Sequence, residues 1–220
     1  MRAIFLGTFN PPHNGHVNCI KSVIRSGILN QLNIKRIHII PCWQNPNKEE
    51  FDDPEKRFWQ RYKMCSLEFS GLNEFCFIDD IELGMKFKYT YEVIEYFKSG
   101  EDPFFTDGDF WWIITAETFK ELIDKKWYNS EKLINENKFI ILIPDDLTNT
   151  EYNEIIKYTN DDSRYQLIDL INDPMATMHS TKLREMIENN ENVYPYINLG
   201  TQLYIKQNYI YHSKSNSRST

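Results

Sequence analysis

Two histidines near the start of the chain, His13 and His16, are spaced to work on one ligand. Residues three apart on a helix share a face. The stretch that holds them, Gly7-Thr-Phe-Asn-Pro-Pro-His-Asn-Gly-His16, follows a short apolar run and precedes a periodic one. The pair therefore sits where a loop turns into a helix. A helix N-terminus offers unpaired N–H groups and the positive end of its dipole. Gly15, between the histidines, lets a ligand approach the backbone closely. Together these features suit an anion whose charge grows in a transition state. Two loop histidines can also merely cap and solvate, and for an isolated H-x-x-H that alternative would prevail. It is weakened here by the buried strand just upstream. A zinc site lacks a third ligand at suitable spacing.

A second cluster lies near the other end. Ser180-Thr181 opens a helical pattern, and Arg184 follows about one turn later. Arg184 alone could be an ordinary helix cation; behind two hydroxyls at a helix start, a functional role is the better reading. Other candidates are weaker on residue type. Lys48, in a polar loop, reads as a solvated charge. Trp127 reads as a packing anchor, as do Trp43, Trp59, Trp111 and Trp112. His38 lies inside an apolar run and reads as a core or sheet-face residue.

The elements that must position these groups follow from hydrophobic pattern. The chain has 220 residues, 41% of them hydrophobic and 15% aromatic, enough to bury a core without staples. A net charge of −7 argues against a general nucleic-acid binder but not against a small phosphorylated ligand. Cys19, Cys42, Cys65 and Cys76 are scattered, with no C-x-x-C pair, and read as thiols of a reducing compartment. The N-terminus is not a signal peptide, and no run is long enough to span a bilayer. The expected location is cytoplasmic.

Ala3–Leu6 is apolar without alternation, as in a strand buried on both faces of a parallel sheet. Asn14 is a plausible N-cap for the helix that follows, and Gly27 a natural stop. Arg36–Pro41 is a second strand. Asp53-Pro54 opens a helix, and Phe58, Tyr62, Cys65 and Phe69 form its core stripe. Short or buried strands are expected at 75–78, 110–114, 139–143 and 165–170. Helices are expected at 91–98, at 119–134 with an interruption near Tyr128-Asn129, within 145–162, at 181–188 and at the end of 193–211. This alternation predicts an α/β fold with a doubly wound parallel sheet. Ligands of such sheets lie beyond the carboxyl ends of the strands, near the switch point. The loops at Gly7–His16, Cys42–Lys48 and Thr115–Glu117 should therefore share one rim.

With the motifs in place, a resemblance becomes specific. Gly7–His16 resembles the G-[TS]-F-[DN]-P-x-H-x-G-H motif of the nucleotidyltransferase superfamily, in particular of the bacterial nicotinate/nicotinamide-mononucleotide adenylyltransferases. Pro41-x4-Pro46-x-Lys48 resembles the family's I-P-x-x-x-P-P-H-K loop, Tyr89-Thr90 the end of its S-Y-T, and Met178–Arg184 its I-S-[SA]-T-x-I-R. Trp127 resembles the tryptophan that stacks on the pyridine ring. The resemblance covers roughly residues 1–211 and implies a Rossmann-like nucleotidyltransferase fold. It implies a single domain over 1–211 with its C-terminal helical part from about 180; residues 212–220, rich in Ser, Asn and Lys with little to bury, read as a disordered tail.

The resemblance also implies an activity: adenylyl transfer from ATP to nicotinate or nicotinamide mononucleotide, giving the dinucleotide and pyrophosphate in NAD biosynthesis. His13, His16, Lys48 and Arg184 would be catalytic. Gly7, Thr8, Phe9, Gly15, Glu117, Ser180 and Thr181 would bind ATP, and Asn10, Thr90 and Trp127 the mononucleotide. No protein metal ligand is implied; Mg2+ would be held mainly by ATP. The partners are small molecules, with neither nucleic acid nor membrane, and a homo-oligomer is left open. Several positions depart from the family pattern. Lys88 and His179 stand in place of serines, Thr115-Ala116-Glu117 in place of G-x-D, and Ile143-Pro144-Asp145 in place of R-P-G. The rival readings are a pantetheine-phosphate adenylyltransferase-like enzyme, which is usually shorter, and a non-catalytic nucleotide-binding regulatory module.

Overall fold

The structure is a computed structural model, and it describes residues 1–44, 53–160, 162–174 and 178–212. Among these residues six strands are formed: β1 (Arg2–Gly7), β2 (Ile37–Pro41), β3 (Cys76–Ile78), β4 (Phe110–Thr115), β5 (Lys138–Ile143) and β6 (Tyr165–Asp169). Every pairing is parallel, in the order β3-β2-β1-β4-β5-β6. The chain builds outward from β1 to β3, then returns to β4 on β1's other side. The switch point is thus the β1/β4 boundary, where a ligand crevice opens in sheets of this kind. The predicted doubly wound sheet is present.

The helices are α1 (Asn14–Arg25), α2 (Ile28–Gln31), α3 (Pro54–Glu68), α4 (Ile81–Met85), α5 (Thr90–Ser99), α6 (Ala116–Ile123), α7 (Ser130–Glu136), α8 (Asn149–Thr159), α9 (Ser180–Glu188) and α10 (Leu199–Gln207). Successive strand residues point to opposite faces, so the apolar runs feed two cores. One holds Ala3, Phe5, Ile37 and Ile39 against Val17, Ile20 and Val23 of α1. The other holds Ile4, Ile40, Trp112 and Phe139 against α5 and α6. A third cluster joins Met64 of α3 to Leu183, Ile197 and Ile205.

Three expectations need correction. The N-cap of α1 is His13, not Asn14: the His13 side chain accepts from the Gly15 N–H. The stretch expected as one interrupted helix over 119–134 is two helices, the first beginning at Ala116, where Thr115 accepts from the Thr118 N–H as N-cap. The helix expected at 181–188 starts one residue earlier, at Ser180. Helix α4 had no sequence expectation. Lys48 and Pro46 lie outside the described residues, as does the expected tail beyond His212.

Candidate active site

The loop after β1 is tightly folded. Phe9 has a left-handed φ of 47° and is buried, with its ring turned back over Gly7. A Cβ on Gly7 would lie 2.8 Å from that ring, so glycine is required by the loop's own packing. Phe9 also meets His16 edge-on, with ring centroids 4.9 Å apart.

The two histidines cap their own helix. His13 Nδ1 accepts from the Gly15 N–H at 3.1 Å, and His16 Nδ1 accepts from the His13 N–H at 3.2 Å. This is a reciprocal capping box built from imidazoles. A ring nitrogen that accepts carries no proton, so each neutral ring keeps its proton on Nε2. The rings lie side by side, with centroids 3.9 Å apart. Burial, aided by neighbouring His179, lowers the His13 pKa to about 4. His13 is therefore a neutral Nε2–H donor at neutral pH.

The far end of the chain closes on this loop. Ser180 Oγ donates to the Pro11 carbonyl at 2.9 Å, and Arg184 Nη1 donates to the Asn10 carbonyl at 2.7 Å. Arg184 Nη2 reaches Thr181 Oγ1 at 3.2 Å. The Tyr211 hydroxyl donates to Asn10 Oδ1 at 2.6 Å. Asn14 donates through its backbone to the Tyr196 carbonyl and through its side chain to that of Pro195. His13, His16, Asn10, Ser180, Thr181 and Arg184 thus come together although 164 or more residues separate the two groups in sequence.

Beside this cluster, a cavity of about 430 Å³ opens at the carboxyl ends of β1 and β2. Its lining includes Gly7, Thr8, Cys42, Thr90, Glu121 and Trp127. The expected mononucleotide residues Thr90 and Trp127 therefore share a cavity with the start of the histidine loop. Trp127 is half-buried; it packs at 6.2 Å between ring centroids on Trp112. Glu117 is exposed on the first turn of α6 and is not part of this lining.

Sequence reading missed a support beneath both loops. Arg61, on α3, is buried; its Nη1 donates to the Thr8 carbonyl at 2.9 Å and its Nη2 to the Trp43 carbonyl at 3.0 Å. The Trp43 N–H donates to Glu82 at 2.5 Å. Burial pushes the Glu82 carboxyl up to about 8, opposed by this hydrogen bond and by Arg61. Arg61 did have a sequence signal: it stands between Phe58 and Cys65 on the apolar stripe of its helix, where a charge needs partners. Glu82 had none.

Comparison with known proteins agrees with this fold. The cytidylyltransferase-like family profile matches residues 4–193. The chain is 28% identical over 193 residues to the probable nicotinate-nucleotide adenylyltransferase of Clostridium tetani, covering 87% of this chain and 89% of that one. It is 28% identical to the protein of the same description from Fusobacterium nucleatum, covering 94% and 98%. Among solved structures, the Plasmodium falciparum nicotinic acid mononucleotide adenylyltransferase complexed with NaAD superposes with a TM-score of 0.73. That match is at 19% identity and covers 95% of this chain and 96% of that one, a likeness of fold. With the parallel sheet, a cavity at its carboxyl edge and a profile match over most of its length, the chain belongs to the cytidylyltransferase-like family.

Proposed function

We propose that the protein transfers the adenylyl group of ATP to nicotinate mononucleotide, releasing pyrophosphate. The observation that carries this reading is the closure of Ser180, Arg184 and Tyr211 onto the histidine loop, beside a cavity lined by Thr90 and Trp127. The relatives described as nicotinate-nucleotide adenylyltransferases support the choice of substrate.

The reaction needs alignment and charge neutralisation more than bond-making by the protein. A phosphate oxygen of the mononucleotide attacks the α-phosphorus of ATP; the bond to the β-phosphate oxygen breaks, and pyrophosphate departs with that electron pair. The attacking phosphate is already anionic near neutral pH, so no general base is required. The Nε2–H groups of His13 and His16 donate to charge that grows on the transferring group. Arg184 spends part of its guanidinium on Asn10 and Thr181 and offers the rest of its fork to phosphate oxygens. The first-turn N–H groups of α9 favour an anion, while Ser180 Oγ is engaged with Pro11. Lys48 supplies a further cation, Gly7, Thr8, Phe9 and Gly15 shape the ATP loop, and Glu117 accepts from a ribose hydroxyl. Mg2+ arrives with ATP, since it keeps several waters and seldom takes a dedicated protein cage. Among the described residues, no group of three metal-ligating side chains offers it one.

We read residues 1–211 as one nucleotidyltransferase unit acting in the cytoplasm. Free, buried Cys19, Cys65 and Cys76 support that compartment, and among the described residues no helix is long and apolar enough to cross a membrane. The test is pyrophosphate release from ATP with nicotinate mononucleotide, nicotinamide mononucleotide and phosphopantetheine as parallel acceptors. Release with the nicotinate acceptor is expected. Release with phosphopantetheine alone, or with none, would overturn the proposal.

A further inference from the structure

Trp127 makes one polar side-chain contact within the cavity: its indole Nε1–H donates to Glu121 Oε2 at 2.8 Å. Both residues line the cavity. The backbone N–H of Trp127 is separately held by Ser130 Oγ at 3.1 Å, and its ring rests against Trp112. The indole is therefore held by Glu121 and by Trp112, with its backbone anchored at Ser130, and of these Glu121 alone carries a charge. Glu121 projects from α6 one turn after Thr118, which lines the same cavity.

A carboxylate in a cavity meant for a phosphorylated ligand needs a reason, because it repels the phosphate. The proposed acceptor supplies one. A pyridine ring bonded to ribose through its nitrogen carries a positive charge, which nicotinate's carboxylate substituent leaves on the ring, while the phosphate lies at the other end of the molecule. An indole face attracts cations more strongly than any other side-chain ring. A carboxylate accepting from the indole N–H increases electron density in that ring and adds negative charge at the pyridine end only.

Resting on the reading given above, we propose that Glu121 positions Trp127 for the pyridine ring and selects acceptors whose ring is cationic. The inference deepens that reading by adding a residue that discriminates ring charge. It makes a distinction the adenylyl-transfer step cannot make, since the phosphates are the same for a charged and an uncharged ring.

The test compares wild type with Glu121→Gln and Glu121→Ala. Two acceptors are used: nicotinate mononucleotide and its 1,4-dihydropyridine form, which has the same phosphate and carboxylate but an uncharged ring nitrogen. Calorimetric binding is measured alongside turnover. In Glu121→Ala, the KM for the cationic acceptor should rise roughly tenfold or more, because a hydrogen bond to a charged group is lost. The KM for ATP and kcat should stay within about twofold, the pattern of lost ground-state binding. Glu121→Gln keeps an acceptor for the indole but removes the charge. It should lower the preference for the cationic over the neutral ring while binding the neutral one as wild type does. An unchanged ring preference in Glu121→Gln would overturn the inference. So would equal losses for ATP and both acceptors in Glu121→Ala, which would mark a merely structural residue. Wild type that binds the acceptor but releases no pyrophosphate would instead count against the proposed reaction, and the calorimetric comparison would still test Glu121.

Discussion

At the scale of single residues, His16 has two tasks that can be separated. Its Nδ1 closes the capping box of α1, and in the proposed reaction its Nε2–H serves the reacting phosphate. His16→Ala should lower kcat by about 10²–10³, the usual cost of one preorganised donor at developing charge. The lost cap should cost only about 1 kcal/mol of stability. Near-normal turnover in a sample with native-like melting would remove His16 from the mechanism. His13 carries a different signature. Its pKa is about 6.5 unfolded and about 4 folded, so the unfolded chain binds more protons between those values. Stability attributable to neutral His13 is present above pH 6.5 and is lost as pH falls towards 4, on the order of 3 kcal/mol in all. His13→Asn keeps a cap acceptor without the titration. Melting temperature followed from pH 7 to pH 4 should fall less steeply in this variant; equal slopes would contradict the assignment.

At the scale of elements, Arg61 ties the loop after β1 to the loop after β2 through the Thr8 and Trp43 carbonyls. Arg61→Met would keep the apolar stem and leave both part-buried carbonyls without those donors, at roughly 1 kcal/mol for each. The expected result is a clear fall in chemical-denaturation midpoint together with weaker binding of ATP. A variant as stable and as active as wild type would show that the two loops hold their spacing without it. This scale also shows what sequence could and could not reveal. Strands β1, β2, β4 and β5 were legible because a strand buried on both faces must be apolar throughout. Pro54 and Asp53 marked the start of α3 by well-understood end chemistry. The start of α1 was misplaced because histidine is not an ordinary cap, and only three-dimensional geometry shows its Nδ1 returning to the backbone. Helix α4 spans five residues and includes Gly84, too short and too mixed to leave a period. The bond from Trp127 to Glu121 bridges the end of α6, where neither helical nor strand spacing applies.

At the scale of the molecule, the C-terminal helices are held to the sheet domain's own α3 by a buried carboxylate. Glu68 accepts from the Asn198 N–H and from Thr201 Oγ1, the latter at 2.7 Å. Burial raises its pKa to about 7, with both hydrogen bonds pulling the other way. The folded chain therefore binds more protons than the unfolded one between about pH 4.5 and 7. The associated stability is full below 4.5 and is lost as pH rises through 7. Glu68→Gln should flatten this part of the stability profile and gain on the order of 1–3 kcal/mol at pH 8. Denaturant unfolding at pH 5 and pH 8 checks it; an unchanged difference between the two would refute the role given to Glu68.

The contacts of Ser180, Arg184 and Tyr211 with residues 10 and 11 carry a consequence for how the protein is made. Synthesis is vectorial, so a domain's early segments leave the ribosome first. The histidine loop emerges well before the residues that hold its carbonyls. A growing chain can lay β1 between β2 and β4 and still have no finished phosphate site. Activity on the ribosome should therefore appear late and abruptly, only when the segment through Tyr211 has cleared the exit tunnel. Stalled chains that end before Ser180 would occupy folding machinery without ever consuming ATP.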